Sequence, residues 1–195
     1  MPFFSFCVSE RMSTLFEVGE KIVHPMHGAG LIKKIEEKEI LGKKKKYYEL
    51  DLVLTKLDRV LIPVESTLEV GLRKVVDPER VSEILEVLQD ETIELKEKVT
   101  NWSAAYQKNL LELKTGDVIK IAQVYKTLYV RNRKKKLSSR DSDLMERARK
   151  LIVSEIILAN NVGEDKAFTM VDDALDILND LLGEENGVGG NNKNH

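Results

Sequence analysis

The chain holds a single tryptophan, Trp102, within the stretch Asn101–Asn109. Thr100 or Asn101 can serve as a helix N-cap, which places Trp102 on the first turn, where a side chain can project past the helix end. A large exposed aromatic residue there, near basic residues, could insert between base steps of DNA. Periodicity more often means that such a residue is the first core residue of an apolar stripe, and helical spacing alone does not choose between these interpretations for Trp102. That stripe would continue through Tyr106, Leu110 and Leu113.

Basic residues cluster in the run Arg131–Lys136, which follows a predicted helix. Cations are favoured at a helix C-terminus, and most charge runs are solvated faces, so the run needs no ligand to explain it. The same residues could instead form a cationic surface that neutralises phosphates and makes binding salt-sensitive. Other cations that could belong to this surface are Lys108, Lys114, Lys120 and Arg140.

Two further motifs in the first half are weak candidates for a site. His24 and His27 are spaced like a metal-binding pair, but no third ligand lies nearby in the sequence. We therefore interpret them as structural or surface residues and predict no metal site. The run Lys43–Lys46 lies on a predicted hairpin, where it could contact phosphate but more often marks a solvated loop.

The sequence lacks the usual signatures of an enzyme. There is no Gly-rich phosphate loop ending in Lys-Ser or Lys-Thr, and no Gly-x-Ser-x-Gly elbow. His195 is the only histidine in the second half, so the commonest acid–base residue is nearly absent. Carboxylate pairs such as Asp172 and Asp173 fit the solvated face of an amphipathic helix. We predict a protein that is not an enzyme, with no catalytic residue and no cofactor.

Length, charge and cysteine usage narrow the class further. The 195 residues allow one large domain or two small ones. The formal net charge is −2, so nucleic-acid binding would depend on a local basic patch rather than on long-range attraction. Cys7 is the only cysteine, which excludes an internal disulfide and leads us to expect a reducing, cytoplasmic location. No apolar run approaches a membrane span, and Met1–Arg11 does not resemble a signal peptide.

The first half predicts short antiparallel strands separated by turns that contain glycine or proline. Gly19-Glu20 indicates a turn or bulge, and Leu41–Lys44 indicates a hairpin. Pro63 has no N–H to donate, so its strand is expected at or near a sheet edge. Together these features predict a small curled sheet or open barrel. The predicted strands are Phe16–His24, Leu31–Ile40, Tyr47–Leu54, Arg59–Val64 and Val70–Val75.

The second half predicts a compact bundle of about five helices. Asp77-Pro78 is a typical helix start, because Asp can cap and Pro fits the first helical position. Asp117 and then Ser138 or Ser139 start further helices, and Gly116 and Gly183 are expected to end others. The fold class is therefore α+β. We divide the chain into a disordered extension (1–13), a β domain (14–76), a helical domain (77–183) and a disordered tail (184–195).

Several segments resemble CarD-type bacterial transcription regulators. Phe16–Ile32 is similar to the opening of their N-terminal domain, which is shared with the polymerase-interacting module of transcription-repair coupling factors. Arg59–Val64 resembles the fourth strand of that domain. The resemblance spans residues 14 to 182 in order, and coupling factors lack its second half. In that half it is carried by Asn101-Trp102-Ser103, Tyr106, Asn109-Leu110 and Gly116-Asp117-Val118.

The resemblance implies a Tudor-like N-terminal domain that docks on the β subunit of bacterial RNA polymerase. Docking in this family uses an exposed sheet edge, which is a form of strand-edge recognition. No membrane contact is implied, and we expect a monomer. The polymerase-binding residues implied by position are Lys38, Glu39, Ile40, Arg59, Leu61, Ile62 and Pro63.

The resemblance also implies that the helical domain reaches promoter DNA at the upstream edge of the transcription bubble. There Trp102 would wedge into the minor groove and hinder bubble collapse, because restacking of the bases needs the space that the indole occupies. The DNA-binding residues expected from the resemblance and from charge are Asn101, Trp102, Ser103, Tyr106, Lys108, Lys114, Arg131, Arg133 and Lys134.

The sequence departs from the family pattern at four positions. Ala104 and Ala105 stand where some members carry arginine just after the tryptophan, and Lys38 and Leu61 replace arginine at docking positions. Lysine cannot reproduce the planar arginine fork. An alternative is therefore a polymerase-independent nucleic-acid-binding module that uses the sheet and the lysine-rich segments. A metal hydrolase centred on the two histidines is a more distant third hypothesis.

Overall fold

A computed structural model describes residues 15–40, 42–55, 60–90 and 101–187, with side chains described as far as residue 179. The first half forms a five-stranded antiparallel sheet. Its strands are β1 (Lys21–His24), β2 (Gly28–Ile40), β3 (Lys43–Leu52), β4 (Val60–Pro63) and β5 (Arg73–Lys74). The strand order is β4-β3-β2-β1-β5, so the described sheet is open, with β4 and β5 at its two edges.

One face of the sheet carries a small apolar core. Tyr48 is fully buried there, and its hydroxyl oxygen accepts a hydrogen bond from the Phe16 N–H at 3.1 Å. The two rings meet edge to face with centroids 6.1 Å apart. A buried tyrosine is stabilising when its hydroxyl is paired, so this contact fixes the segment before β1 against β3. The core consists of Phe16, Ile22, Ile32, Tyr48, Leu50, Leu52, Ile62 and Leu72.

The helices begin at capped positions that the sequence predicts. The side chains of Asn101, Asp117 and Ser138 each accept a hydrogen bond from a backbone N–H of the first turn, which satisfies a donor that the helix itself leaves unpaired. No helix in the described part of the chain is both long and apolar enough to cross a membrane. The helices are α1 (Thr67–Val70), α2 (Pro78–Gln89), α3 (Trp102–Lys114), α4 (Val118–Lys134), α5 (Ser139–Asn160) and α6 (Glu164–Gly187).

The helices α2 to α6 share one apolar core, which is larger than the core of the sheet. Lys126 is buried within it, and its ammonium group donates to the carbonyl oxygens of Val87, at 2.9 Å, and Asp90. These carbonyls lie at the C-terminal end of α2, where helix carbonyl groups commonly accept hydrogen bonds from side chains. Lys126 therefore ties the C-terminus of α2 to α4, and burial lowers the pKa of its amine.

An ion pair between a partly exposed arginine and a buried glutamate joins the sheet to the helices. The Arg73 guanidinium on β5 binds both carboxylate oxygens of Glu155 on α5, with N–O distances of 2.5 and 2.8 Å. It also donates through Nε to the carbonyl of Gly116, between α3 and α4, at 2.7 Å. Glu155 in turn accepts from the Val76 N–H at 3.1 Å. One guanidinium thus links β5, the α3–α4 turn and α5.

A second contact between the halves lies at the start of β2. The Ala29 N–H donates to the Ser154 hydroxyl at 2.9 Å. A Cβ on Gly28 would lie 2.7 Å from the same hydroxyl oxygen, and Gly28 has a φ of +93°. Both the space and the backbone conformation therefore require glycine here. At this point α5 packs directly against β2.

The α+β prediction is confirmed, but several element boundaries and one helix cap differ from the prediction. The region predicted as a strand at Val70–Val75 holds the end of α1, the turn at Gly71 and only the two-residue strand β5. α6 continues to Gly187 rather than ending at Gly183, because an interior glycine costs a helix only about 1 kcal/mol and glutamates follow it. Asp77 occupies the N-cap of α2, but its side chain makes no capping hydrogen bond. The predicted disorder of 1–13 and of 188–195 falls outside the described residues.

Candidate nucleic-acid interface and sheet edge

Trp102 is the first residue of α3, and it is exposed. Asn101 caps the helix through Oδ1, which accepts from the Ala104 N–H at 3.0 Å. The Trp102 side chain lies 54 % exposed, whereas Leu113 on the same helix is fully buried. The apolar stripe of α3 therefore begins after Trp102, and the interpretation of Trp102 as a core residue is wrong. An exposed large aromatic residue at a helix start is available to a partner.

Two aromatic side chains of α3 lie under arginines from neighbouring helices. The Arg131 Cζ, from the last turn of α4, lies 4.5 Å from the Trp102 ring centroid. The Arg140 Cζ, at the start of α5, lies 4.4 Å from the Tyr106 ring centroid. Both distances are within the range of a cation–π contact. Trp102 and Tyr106 are one helical turn apart, so the two stacks form a short ladder of aromatic and cationic groups.

The predicted phosphate-binding residues do not form one patch around Trp102. Arg133 and Lys134 are exposed in the last turn of α4, next to the arginine that covers the indole. Lys114 is exposed at the opposite end of α3, about 18 Å along the helix axis from Trp102. Lys108 is also exposed, but helical geometry directs it about 120° away from Trp102 around the helix. Ser103 is exposed beside the indole.

The sheet edge predicted from Pro63 is confirmed. β4 pairs with β3 on one side, and no other described strand pairs with its outer side. Leu61 and Pro63 are partly exposed, but Ile62 is buried in the sheet core opposite Tyr48. Any contribution of Ile62 to docking would therefore come from its backbone and not from its side chain. Arg59, the remaining predicted docking residue on this strand, falls outside the described residues.

The other predicted docking residues lie at the end of β2. Glu39 and Ile40 are exposed, while Lys38 pairs with Glu36 at 2.7 Å. Glu36 also pairs with Lys34 at 2.7 Å, and hydrogen bonds from Lys34 and then Lys38 lower the pKa of Glu36 to about 2. Lys34 reaches Glu49 on β3 at 3.3 Å. Lys38 is thus the last residue in a row of alternating charges, and its ammonium group is paired with the Glu36 carboxylate.

The lysine run on the hairpin faces carboxylates across the strands. Lys44 and Lys46 lie opposite Glu39 and Glu37 in the β2–β3 register. Lys45 forms an ion pair with Glu65 at 2.7 Å. Opposite charges in cross-strand positions stabilise a sheet. Three lysines of the run therefore have a carboxylate opposite or paired with them, whereas Lys43 lies opposite Ile40.

The two histidines contact each other rather than forming a cluster of ligands. Their ring centroids are 4.4 Å apart, and His24 Nδ1 accepts from the Met26 N–H at 3.0 Å. Burial, together with the neighbouring His27, lowers the pKa of His24 to about 4. In the described ranges no group of three His, Cys, Asp or Glu side chains could hold a metal ion. The hydrogen bond to Met26 gives His24 a role in shaping the β1–β2 turn.

Comparison with known proteins matches both halves of the chain. The CarD-like/TRCF RID domain matches residues 16–76, and the CarD C-terminal domain matches residues 83–172. The chain belongs to the CarD family. A relative from Bacillus subtilis (strain 168), named "Putative transcription factor YdeB", is 29 % identical over 150 residues, which cover 77 % of this chain and 95 % of the relative.

The CarD family is a family of transcription regulators and not of enzymes. The resemblance noted in the sequence is confirmed for both the sheet and the helical half of the chain. The match to the CarD C-terminal domain covers Trp102 and both arginine stacks, so these features lie within the helical part that characterises the family.

Sequence reasoning missed one residue that contacts the Arg131–Trp102 stack. Asp141 is largely buried, and its carboxylate lies 3.6 Å from Arg131 and accepts from the Ser138 hydroxyl at 2.9 Å. The spacing of Ser138 and Asp141 is that of a capping box, which could have identified Asp141 as an ordered carboxylate. Its contact with Arg131 on another helix has no local sequence signal.

Proposed function

We propose that this CarD-family protein docks on the β subunit of bacterial RNA polymerase and stabilises the promoter open complex. In this proposal the edge of β4 contacts the polymerase, and Trp102 wedges into the minor groove at the upstream edge of the bubble. The observation that carries the proposal is the exposure of Trp102 at the start of α3. A wedge needs an indole that projects from a rigid support, and α3 packs against α4 and α5.

The arrangement of the two halves supports a single unit that connects polymerase to DNA. The sheet is joined to the helices by the partly buried Arg73–Glu155 pair and by the buried hydrogen bond from Ala29 to Ser154. A rigid connection would hold Trp102 in a fixed place when the sheet is docked. We propose that residues 14–76 bind polymerase, that residues 77–183 bind DNA, and that the protein acts as a cytoplasmic monomer.

A polymerase-independent nucleic-acid module has less support. That alternative relied on the lysine-rich hairpin, whose lysines face Glu37, Glu39 and Glu65. Phosphate binding there would have to compete with carboxylates already in place. Exposed cations are instead found in the same turn of α4 as Arg131, at Arg133 and Lys134, and at Arg140, which stacks on Tyr106.

Docking through the β4 edge can be tested by changing one leucine. Leu61→Glu is expected to weaken binding of the full-length protein to the isolated polymerase β subunit by about tenfold or more, because a charge would be buried against the partner. Affinity is measured by biolayer interferometry, with circular dichroism to confirm folding. The matched control is Leu31→Glu, since Leu31 is 36 % exposed on the central strand β2 and should leave affinity unchanged. Equal affinity for Leu61→Glu and wild type would exclude this edge as the docking surface.

A further inference from the structure

Arg131 is committed to contacts within the protein. Its side chain is only 18 % exposed, although Arg133 and Lys134 in the same turn of α4 are exposed. The guanidinium lies over the Trp102 indole, with Cζ 4.5 Å from the ring centroid. Charge and position in the sequence predicted a phosphate contact for Arg131, but the structure places its charged group against the indole.

Asp141 holds the guanidinium from the other direction. Its Oδ2 lies 3.6 Å from Arg131 Nη2 and accepts from the Ser138 hydroxyl at 2.9 Å. The same Ser138 hydroxyl accepts from the Asp141 N–H at 3.2 Å, which closes the cap of α5. The carboxylate is largely buried, so its orientation is set by the helix start. A fixed anion therefore faces the cation that covers the indole.

We propose that Arg131 is a positioning residue that holds the Trp102 indole in its projecting orientation, with Asp141 fixing Arg131. Trp102 starts α3 and remains 54 % exposed, so few apolar neighbours restrain its ring. A planar guanidinium can stack face to face on an aromatic ring while its N–H groups pair with a carboxylate, whereas an ammonium group has no planar face to stack. The indole is thereby ordered before any DNA is bound.

The use of the positioned indole as a DNA wedge rests on the proposed function, but the positioning itself is a property of the free protein. The neighbouring Tyr106–Arg140 stack differs, because Arg140 is exposed and no carboxylate partner is found for it among the described residues. The three-membered row of Asp141, Arg131 and Trp102 therefore distinguishes the tryptophan stack. Preordering the wedge reduces the conformational entropy lost on DNA insertion.

The first test uses the fact that Trp102 is the only tryptophan, so fluorescence excited at wavelengths that tyrosine does not absorb reports on this ring alone. Time-resolved anisotropy is measured on the full-length protein without DNA. Arg131→Met is expected to raise the amplitude of the sub-nanosecond motion by about twofold or more, and Arg131→Lys to do the same because it lacks the planar stack. Arg133→Met, the matched control in the same helical turn, should match wild type. Unchanged anisotropy in Arg131→Met would overturn the proposal.

A second readout separates positioning from phosphate binding. The salt dependence of affinity is measured on a duplex with an unpaired bubble, by anisotropy of labelled DNA. Arg133→Met is expected to reduce the slope of log affinity against log salt by about 0.9, while Arg131→Met leaves the slope unchanged. A reduced slope for Arg131→Met would show a direct phosphate contact and overturn the assignment. If the ring loosens in Arg131→Met but Trp102→Ala has no effect on open complexes, the positioning role stands and the proposed function fails.

Discussion

Replacing Trp102 with alanine is expected to shorten the lifetime of the promoter open complex by about tenfold or more. A wedge contact is worth on the order of a few kcal/mol, and each ~1.4 kcal/mol changes a rate tenfold. The indole is 54 % exposed, so its removal leaves no cavity and folding should be unaffected. The lifetime is measured by competitor challenge of preformed complexes, with and without the protein. Circular dichroism shows whether the variant keeps its helices.

The matched control for this variant is Leu111→Ala. Leu111 is another large apolar residue on α3 and is 62 % exposed. It lies nine positions after Trp102, which directs it about 180° away around the helix. If exposed apolar surface in general were responsible, both variants would shorten the open-complex lifetime, whereas loss of a wedge shortens it only in Trp102→Ala. Equal lifetimes for Trp102→Ala and wild type, under saturating protein, would remove the proposed mechanism.

Arg73→Met is expected to cause the largest loss of stability, about 3–5 kcal/mol in the free energy of unfolding. The substitution leaves the Glu155 carboxylate, 1 % exposed, without the guanidinium that binds both of its oxygens. Breaking a buried ion pair on one side costs this much because the remaining charge stays buried. Gly116 also loses a hydrogen bond to its carbonyl. Urea unfolding followed by circular dichroism gives the free energy.

A second arginine–glutamate pair provides the comparison. Arg80 and Glu83 are paired on α2, but both side chains are about half exposed. Such surface pairs contribute at most about 1 kcal/mol, so Arg80→Met should leave the unfolding midpoint nearly unchanged. If Arg73→Met unfolds at the same urea concentration as Arg80→Met, the ion pair does not hold the sheet to the helices.

Local chemistry allowed much of the fold to be predicted. Asn101, Asp117 and Ser138 are cap residues, and each begins a helix where the sequence indicates. Pro63 cannot donate a hydrogen bond, and its strand lies at the sheet edge. Signals of this kind act over a few residues, so they are visible without knowledge of the tertiary structure. The exposure of Trp102 was not visible in this way, because helical spacing fits a core residue equally well.

The contacts that organise the candidate site depend on residues far apart in the chain. Arg73 and Glu155 are 82 positions apart, and neither lies in a motif that points to the other. Arg131 belongs to a charge run, and only its placement beside Asp141 and Trp102 distinguishes it from Arg133. Ile62 was expected to contact polymerase at the sheet edge, and the structure shows that its side chain is buried, which leaves its backbone for that contact. In each of these examples the environment of the side chain is set by packing between distant elements, which the local sequence does not show.

The most direct test places 2-aminopurine, a fluorescent base, at the upstream edge of the bubble in a promoter fragment. In an open complex containing the wild-type protein, the indole is expected to stack on this base and quench its emission, because aromatic stacking quenches the probe. Trp102→Ala should restore the emission, while Leu111→Ala should not. The same emission from wild type and Trp102→Ala, at equal open-complex occupancy, would contradict insertion of the indole between the strands.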